Sequence, residues 1–197
     1  MSDSSDFDAV LLAGGRAARL GGIDKTALGP EGSTLLHRAL DASVGARRTV
    51  VVGLRDDARA PADVVLVRED PPFGGPVSGL AAALDALPAS APTTLVLACD
   101  LVRPVEAVAA LRAGSAQVGS SSSAAADGWV AVDDDGRRQP LLALYRSAAL
   151  RRAVASLGEV DGASLRRLIA PLDIVEVPVP SALCTDVDTP DDAERLT

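Results

Sequence analysis

The sequence predicts an α/β fold: three α/β/α layers, with a mainly parallel sheet between helices. Three observations predict it. Short β-branched runs alternate with Ala/Leu-rich helical patterns. One run, Thr94–Cys99, is nearly all apolar, as a strand buried on both faces must be. The chain has 197 residues, 48% hydrophobic and 23% charged, which suits one compact domain over residues 1–197.

The elements follow in order. Phe7–Leu12 (FDAVLL) is the first strand, and Leu35–Val44 carries helical spacing at Leu36, Leu40 and Val44. Thr49–Val52 and Val64–Val67 are the second and third strands. Val77–Leu87 is helical, with Pro76 in its first turn. Thr94–Cys99 is the fourth strand, and Val105–Arg112 is helical again. Gly119–Asp127 is Ser/Ala-rich and reads as a loop. Trp129–Val132 and Pro140–Tyr145 form a hairpin through the Asp-rich turn Asp133–Arg138. Ser147 and Ser164 are expected to cap helices over Ser147–Leu157 and Ser164–Ile169. Ile174–Val177 is the last strand, and Pro190–Leu196 a helix entered through Thr189.

Composition excludes several function classes. Nineteen basic against 27 acidic residues leave a net charge of −8, which disfavours nucleic-acid and anionic-membrane surfaces. One Trp, one Tyr and two Phe cannot build base-stacking platforms for single strands. Two cysteines and one histidine (His37) are too few for a disulfide framework or a Cys/His metal site. Cys99, inside an apolar run, reads as a buried small hydrophobe. No stretch approaches a membrane span and the polar start Met1–Asp8 is unlike a secretory signal, so a cytoplasmic protein is expected. The single lysine is Lys25; every other basic residue is arginine.

Four segments carry candidate chemistry. Leu11–Lys25 leaves the carboxyl end of the first strand, where open α/β sheets place ligands. Gly14 and Gly15 permit close backbone approach, and successive N–H groups in such a loop form an anion-binding concavity. Arg16, Arg19 and Lys25 add positive charge, a combination that suits a nucleoside triphosphate. Neither the G-x-G-x-x-G fingerprint nor the P-loop is present, since Gly15 is followed by no glycine until Gly21 and Asp24 precedes Lys25. Second, Asp100 follows the fourth strand; a hard carboxylate there suits Mg²⁺. Third, Asp186 and Asp188 share one side of an extended segment, as further metal ligands or as caps of the following helix. Fourth, Asp70, expected to end the third strand, can accept hydrogen bonds from a base or ribose, and Gly74-Gly75-Pro76 opens a helix whose N-terminus favours anions.

These segments resemble the molybdenum cofactor guanylyltransferases, the MobA family. Leu12-Ala13-Gly14-Gly15, Arg19-Leu20-Gly21-Gly22 and Asp24-Lys25 are similar to its L-A-G-G-x-x-x-R-M-G-x-D-K loop. Glu69-Asp70, Gly75-Pro76 and Gly79-Leu80 resemble its E-D-x-G-P-x-x-G-L segment, and Cys99-Asp100 its C-D metal motif. Gln139-Pro140, Ala143 and Tyr145 resemble a further strand motif, and Asp186-Val187-Asp188-Thr189-Pro190 its D-x-D-T-P ending.

The resemblance implies a Rossmann-like nucleotidyltransferase fold with a mixed sheet. It implies transfer of GMP from GTP to the phosphate of Mo-molybdopterin, with release of pyrophosphate, using Mg²⁺. Leu12, Ala13, Gly14 and Gly15 would cradle the nucleotide, Arg19 and Lys25 would neutralise phosphates, and Asp70 would bind the nucleoside. Asp100 would hold Mg²⁺ together with Asp188. GTP and Mo-molybdopterin are the implied small-molecule partners, with transient contact to other molybdenum-cofactor proteins and none to nucleic acid or membrane. Gly53 stands where a nucleoside-contacting Asn is common, Leu20 replaces Met, and Leu101-Val102-Arg103 departs from the usual sequence after the metal motif. The competing readings are another small-acceptor nucleotidyltransferase, of molybdopterin cytidylyl or sugar-phosphate type, and a catalytically idle nucleotide-binding homologue.

Overall fold

A computed structural model describes residues 7–13, 25–30, 33–54, 60–88, 91–118, 126–187 and 192. In chain order the strands are β1 (Phe7–Leu12), β2 (Thr49–Val52), β3 (Val64–Val67), β4 (Thr93–Ala98), β5 (Gly128–Val132), β6 (Arg138–Arg146) and β7 (Ile174–Pro178). The helices are α1 (Leu35–Ala42), α2 (Pro76–Asp85), α3 (Pro104–Val118), α4 (Ser147–Leu157) and α5 (Leu165–Ile169). The strands join in one sheet, ordered β3-β2-β1-β4-β6-β5-β7. β6 alone runs against its neighbours β4 and β5; every other pairing is parallel.

Side-chain alternation along the strands divides the core into two layers. On one face Ala9, Leu11, Leu95 and Leu97 meet α1 through Leu36 and Ala39 and α3 through Ala107, Val108 and Leu111. On the other, Val10, Val50 and Val96 meet α2 through Val77, Leu80 and Leu84, α4 through Leu150, and α5 through Leu168. The expected three-layer α/β/α fold with a mainly parallel, mixed sheet is therefore present. β1 is buried along its whole length, since it is covered on both faces and paired on both edges. Among the described residues no helix is long and apolar enough to cross a membrane.

Two local expectations need correction. Ser147 does not cap α4: Arg146 occupies the cap position, because β6 runs into the helix without a loop. The buried Ser147 hydroxyl instead pairs with Thr94 Oγ1 at 2.8 Å, tying α4 to β4. The helix expected to stop at Arg112 continues to Val118. Gly114 is not its end but its contact: a Cβ there would lie 2.3 Å from Val177 Cγ1, so glycine lets α3 lie close on β7. Ser164 does cap α5, accepting from Arg167 N–H at 3.2 Å. The helix expected over Pro190–Leu196, with Thr189 before it, lies outside the described residues except for Asp192.

Candidate active site

The strand order reverses at β1, with β2 and β3 added on one side and β4 on the other. Ligands of open α/β sheets bind at the carboxyl ends beside such a reversal. Here the exit of β1 is pinned to both neighbours. The Leu12 carbonyl accepts from Cys99 N–H (3.0 Å), and Ala13 N–H donates to Val52 O (2.9 Å). From α2, Gly79 closes onto the same spot: a Cβ on it would lie 3.2 Å from Val52 Cγ1 and 3.4 Å from Leu12 Cδ2. Gly53, directly after β2, has φ +81° and donates its N–H to Val67 O at 3.1 Å. Asparagine tolerates that left-handed conformation better than most residues, so the Asn-to-Gly departure leaves this turn intact.

Gly14, Gly15, Arg16, Arg19 and Asp24 lie outside the described residues. Lys25 opens a 3-10 turn, Lys25–Ala27, that leads through Leu28 to α1. Leu28, Leu35, Val102 and Val187 pack together in a small apolar cluster apart from the two main core layers. Each member belongs to a different part of the site: the segment after Lys25, the start of α1, the segment after Asp100, and the segment before Asp188. Backbone bonds complete the joint. Val187 N–H donates to Asp100 O (2.9 Å), and Val102 N–H to Thr185 O (3.0 Å), as Leu101 bridges Asp186 antiparallel. Arg38 on α1 donates from Nη1 to Val102 O at 3.2 Å and from Nε to Ser33 O at 3.1 Å. The structure therefore brings Leu12, Ala13, Asp100, the segment begun by Lys25 and the one ending at Val187 to one corner of the sheet. Asp188, the next residue, is outside the described set. Sequence reasoning missed Leu28, Arg38 and Val187 as the parts that hold this corner together. Apolar side chains in short loops were the one available signal.

β3 ends at Val67, so Asp70 stands three residues beyond the strand and not at its end. Arg68 draws the chain back over β2, donating from Nη2 to Leu54 O at 2.7 Å. Asp70 is exposed in a turn with a cis peptide bond to Pro71. Phe73 N–H donates to Glu69 Oε1 at 3.1 Å. Gly75 then begins α2 with φ +91° and no side-chain cap. A second loop meets this one: Gly162 N–H donates to Gly74 O at 2.8 Å. A Cβ on Gly74 would lie 2.7 Å from Ser78 Oγ and 2.8 Å from Asp161 Oδ1, so any larger residue would require these side chains to shift. A carboxylate thus stands beside the helix start that the sequence suggested for anions.

The side chains restrict the chemistry. Burial, with the Asp100 charge adding to it, pushes the Cys99 thiol far above its usual range, so Cys99 is a packed neutral group and not a nucleophile. His37 is exposed on α1 with Nδ1 2.7 Å from Thr34 Oγ1. Among the described residues no cluster of three or more His, Cys, Asp or Glu could form an all-protein metal cage. A half-buried Asp100 at a strand end still fits Mg²⁺, which takes one or two protein carboxylates and completes its shell with phosphate oxygens and water. Among the described residues the corner offers one hard carboxylate, Asp100, on a bonded framework at the exit of β1, an arrangement compatible with phosphoryl-type transfer by positioning and charge neutralisation.

Residues 9–177 match the family model described as the MobA-like NTP transferase domain. A probable molybdenum cofactor guanylyltransferase of Chloroflexus aggregans is 35% identical over 81% of this chain and 73% of its own. A molybdenum cofactor guanylyltransferase of Burkholderia orbicola is 35% identical over 80% of this chain and 79% of its own. Among solved structures, molybdopterin-guanine dinucleotide biosynthesis protein A of Archaeoglobus fulgidus shares the fold with a TM-score of 0.64, at 21% identity over 96% of each chain. With the match covering all seven strands but the first two residues of β1 and the last of β7, the chain belongs to the MobA-like NTP transferase domain family and is a nucleotidyltransferase.

Proposed function

We propose that the chain transfers GMP from GTP to the phosphate of molybdenum-bound molybdopterin, forming molybdopterin guanine dinucleotide. The observation that carries this reading is the corner where the β1 exit, Asp100 and the Thr185–Val187 segment are bonded to one another, in a chain whose relatives bear guanylyltransferase names. A phosphate oxygen of the acceptor attacks the α-phosphorus of GTP. A new P–O bond forms, the α–β bridging P–O bond breaks, and its electron pair leaves with pyrophosphate. The nucleophile is already an anion, so no general base is required, in keeping with a neutral Cys99 and a His37 on the surface of α1.

Leu12, Ala13, Gly14 and Gly15 cradle the nucleotide in this reading, and Gly53 lines the base side. Arg19 and Lys25 hold the phosphates, and Asp70 orients the nucleoside. Asp100, with Asp188, would hold Mg²⁺. When bound, that ion supplies positive charge against the triphosphate. Melting temperature measured with GTP, CTP, ATP and UTP, each with Mg²⁺, tests the nucleotide: GTP should give the largest rise, and an equal or absent response to GTP sinks the reading. Conversion of Mo-molybdopterin and GTP to the dinucleotide, with pyrophosphate release, tests the acceptor.

A further inference from the structure

The turn between β5 and β6 holds three consecutive aspartates, Asp133, Asp134 and Asp135. Both β4 and β5 run antiparallel to β6, so this turn leaves the same sheet edge as Asp100. Asp133 closes the turn. Its Oδ1 accepts from Asp135 N–H (3.1 Å) and Arg137 N–H (2.8 Å), and its Oδ2 from Gln139 Nε2 (3.0 Å). Asp134 reaches away from the turn. Its N–H donates to Ser181 Oγ at 3.0 Å, and its Oδ2 accepts from Ser181 N–H at 2.9 Å. The pair joins residues 47 apart in sequence. Ser181 opens a 3-10 turn, Ser181–Leu183, whose own cap position, Pro180, makes no side-chain bond. The first N–H groups of such a turn lack partners within it, so Asp134 supplies from another element the cap that the local sequence lacks.

The capped turn leads directly to Asp100. Thr185 Oγ1 donates to Ser181 O (3.3 Å), Val102 N–H to Thr185 O (3.0 Å) and Val187 N–H to Asp100 O (2.9 Å). Upstream, the segment is tied by Val179 N–H to Val132 O at 2.9 Å. Between these ties the Asp134–Ser181 pair sets where the segment turns. Both bonds of the pair are exposed, so each replaces a bond to water and adds little net stability. Their effect is on position. We propose that Asp134 is a positioning residue for nucleotidyl transfer: acting through Ser181, it fixes the Thr185–Val187 segment and with it Asp100. This rests on the reading above, in which Asp100 holds the metal ion.

The test uses the full chain with Asp134→Ala, Asp134→Asn, Ser181→Ala and Asp135→Ala. Two quantities are read: backbone hydrogen exchange at Val187, and pyrophosphate release from GTP and Mo-molybdopterin at varied GTP and Mg²⁺ concentrations. Asp134→Ala and Ser181→Ala should each speed exchange at Val187 about fivefold, the equivalent of one lost hydrogen bond. Each should lower kcat about tenfold, the effect of a small misplacement of a catalytic group. Each should also raise the Mg²⁺ concentration that gives half the maximal rate. KM for GTP and the melting temperature should stay near the parent's. Asp134→Asn keeps a carbonyl oxygen for Ser181 N–H and should recover most of the rate. Asp135→Ala removes the same charge from the same turn but no bond to Ser181, and should behave as the parent. Parental exchange or parental kcat in Asp134→Ala or Ser181→Ala overturns the inference and leaves the guanylyltransferase reading standing. So does an equal loss in Asp134→Asn or Asp135→Ala, or a large fall in melting temperature for Asp134→Ala, which marks a structural residue. A parent chain that releases no pyrophosphate overturns both.

Discussion

The guanidinium of Arg38 spans two backbone carbonyls, Ser33 at the start of α1 and Val102 just past Asp100, at 3.1 and 3.2 Å. It couples α1 to the segment that follows Asp100. Arg38→Ala should lower the rate of pyrophosphate release by about 10–100-fold, the scale of a small misplacement of catalytic groups. The loss should fall on kcat rather than on KM for GTP. Arg38→Lys should recover little, because an ammonium lacks the planar fork that reaches both carbonyls. A parallel collapse in melting temperature would mark Arg38 as packing and not positioning.

In the proposed reading Lys25 neutralises the phosphates and Asp100 holds the metal ion. Lys25→Ala and Asp100→Ala should each reduce turnover by at least ~100-fold, the effect of losing one preorganised charge contact. Lys25→Arg keeps the charge but changes its shape and hydration, and should remain impaired. Near-parental pyrophosphate release from the two alanine variants would refute the site assignment.

The α3–β7 contact gives a stability prediction. Gly114→Ala gains about 1 kcal/mol of helix propensity. It also forces a methyl group to within 2.3 Å of the buried, stiff Val177. Overpacking of this kind costs about 1–3 kcal/mol, so a net loss is expected in chemical denaturation. Val177→Ala in the same chain should recover part of it. Strictly additive effects in the double-mutant cycle would show that the helix moves away instead.

Tyr145 sets an alkaline limit. Its ring is buried between the sheet and α4, and its hydroxyl donates to Pro140 O at 3.0 Å. Burial pushes the phenol above its usual value of 10.0. The folded state therefore holds the proton more tightly than the unfolded chain. The contribution is complete below the unfolded value and is lost as pH rises above it towards the folded value. Stability should fall above about pH 10 by up to ~1.4 kcal/mol per pH unit from this group. In Tyr145→Phe that part of the slope should vanish, at a cost of about 1 kcal/mol at neutral pH for the lost hydrogen bond. An unchanged alkaline slope would refute the assignment.

Much of the fold was legible in local patterns. β1, β2 and β3 have the bounds their β-branched runs suggest, and the Asp-rich turn joins β5 to β6 as expected. The misreadings arose where one residue type serves two purposes. A serine before a helix pattern is usually a cap, yet Ser147 sits inside α4 and bonds to Thr94. The helix read over Val105–Arg112 stops short of Gly114, which lies inside α3 and allows a close approach to Val177. For the corner at the end of β1, Asp100 was conspicuous as a lone carboxylate after an apolar strand. Arg38 was not, since the bond that ties it to Val102 O crosses 64 residues of sequence.

Sequence alone was enough for the alternation of strands and helices, the candidate loop chemistry and the family resemblance, because each is written in a few neighbouring residues. It left undecided how distant segments meet. Folding set the order β3-β2-β1-β4-β6-β5-β7, the bridge between Leu101 and Asp186, and the bond from Arg38 to a carbonyl 64 residues away. The physical reason is that these joints are made largely by backbone groups. Nearly every residue carries the same N–H and every residue the same C=O, so the choice of partner is decided by packing and leaves no mark in the residue types.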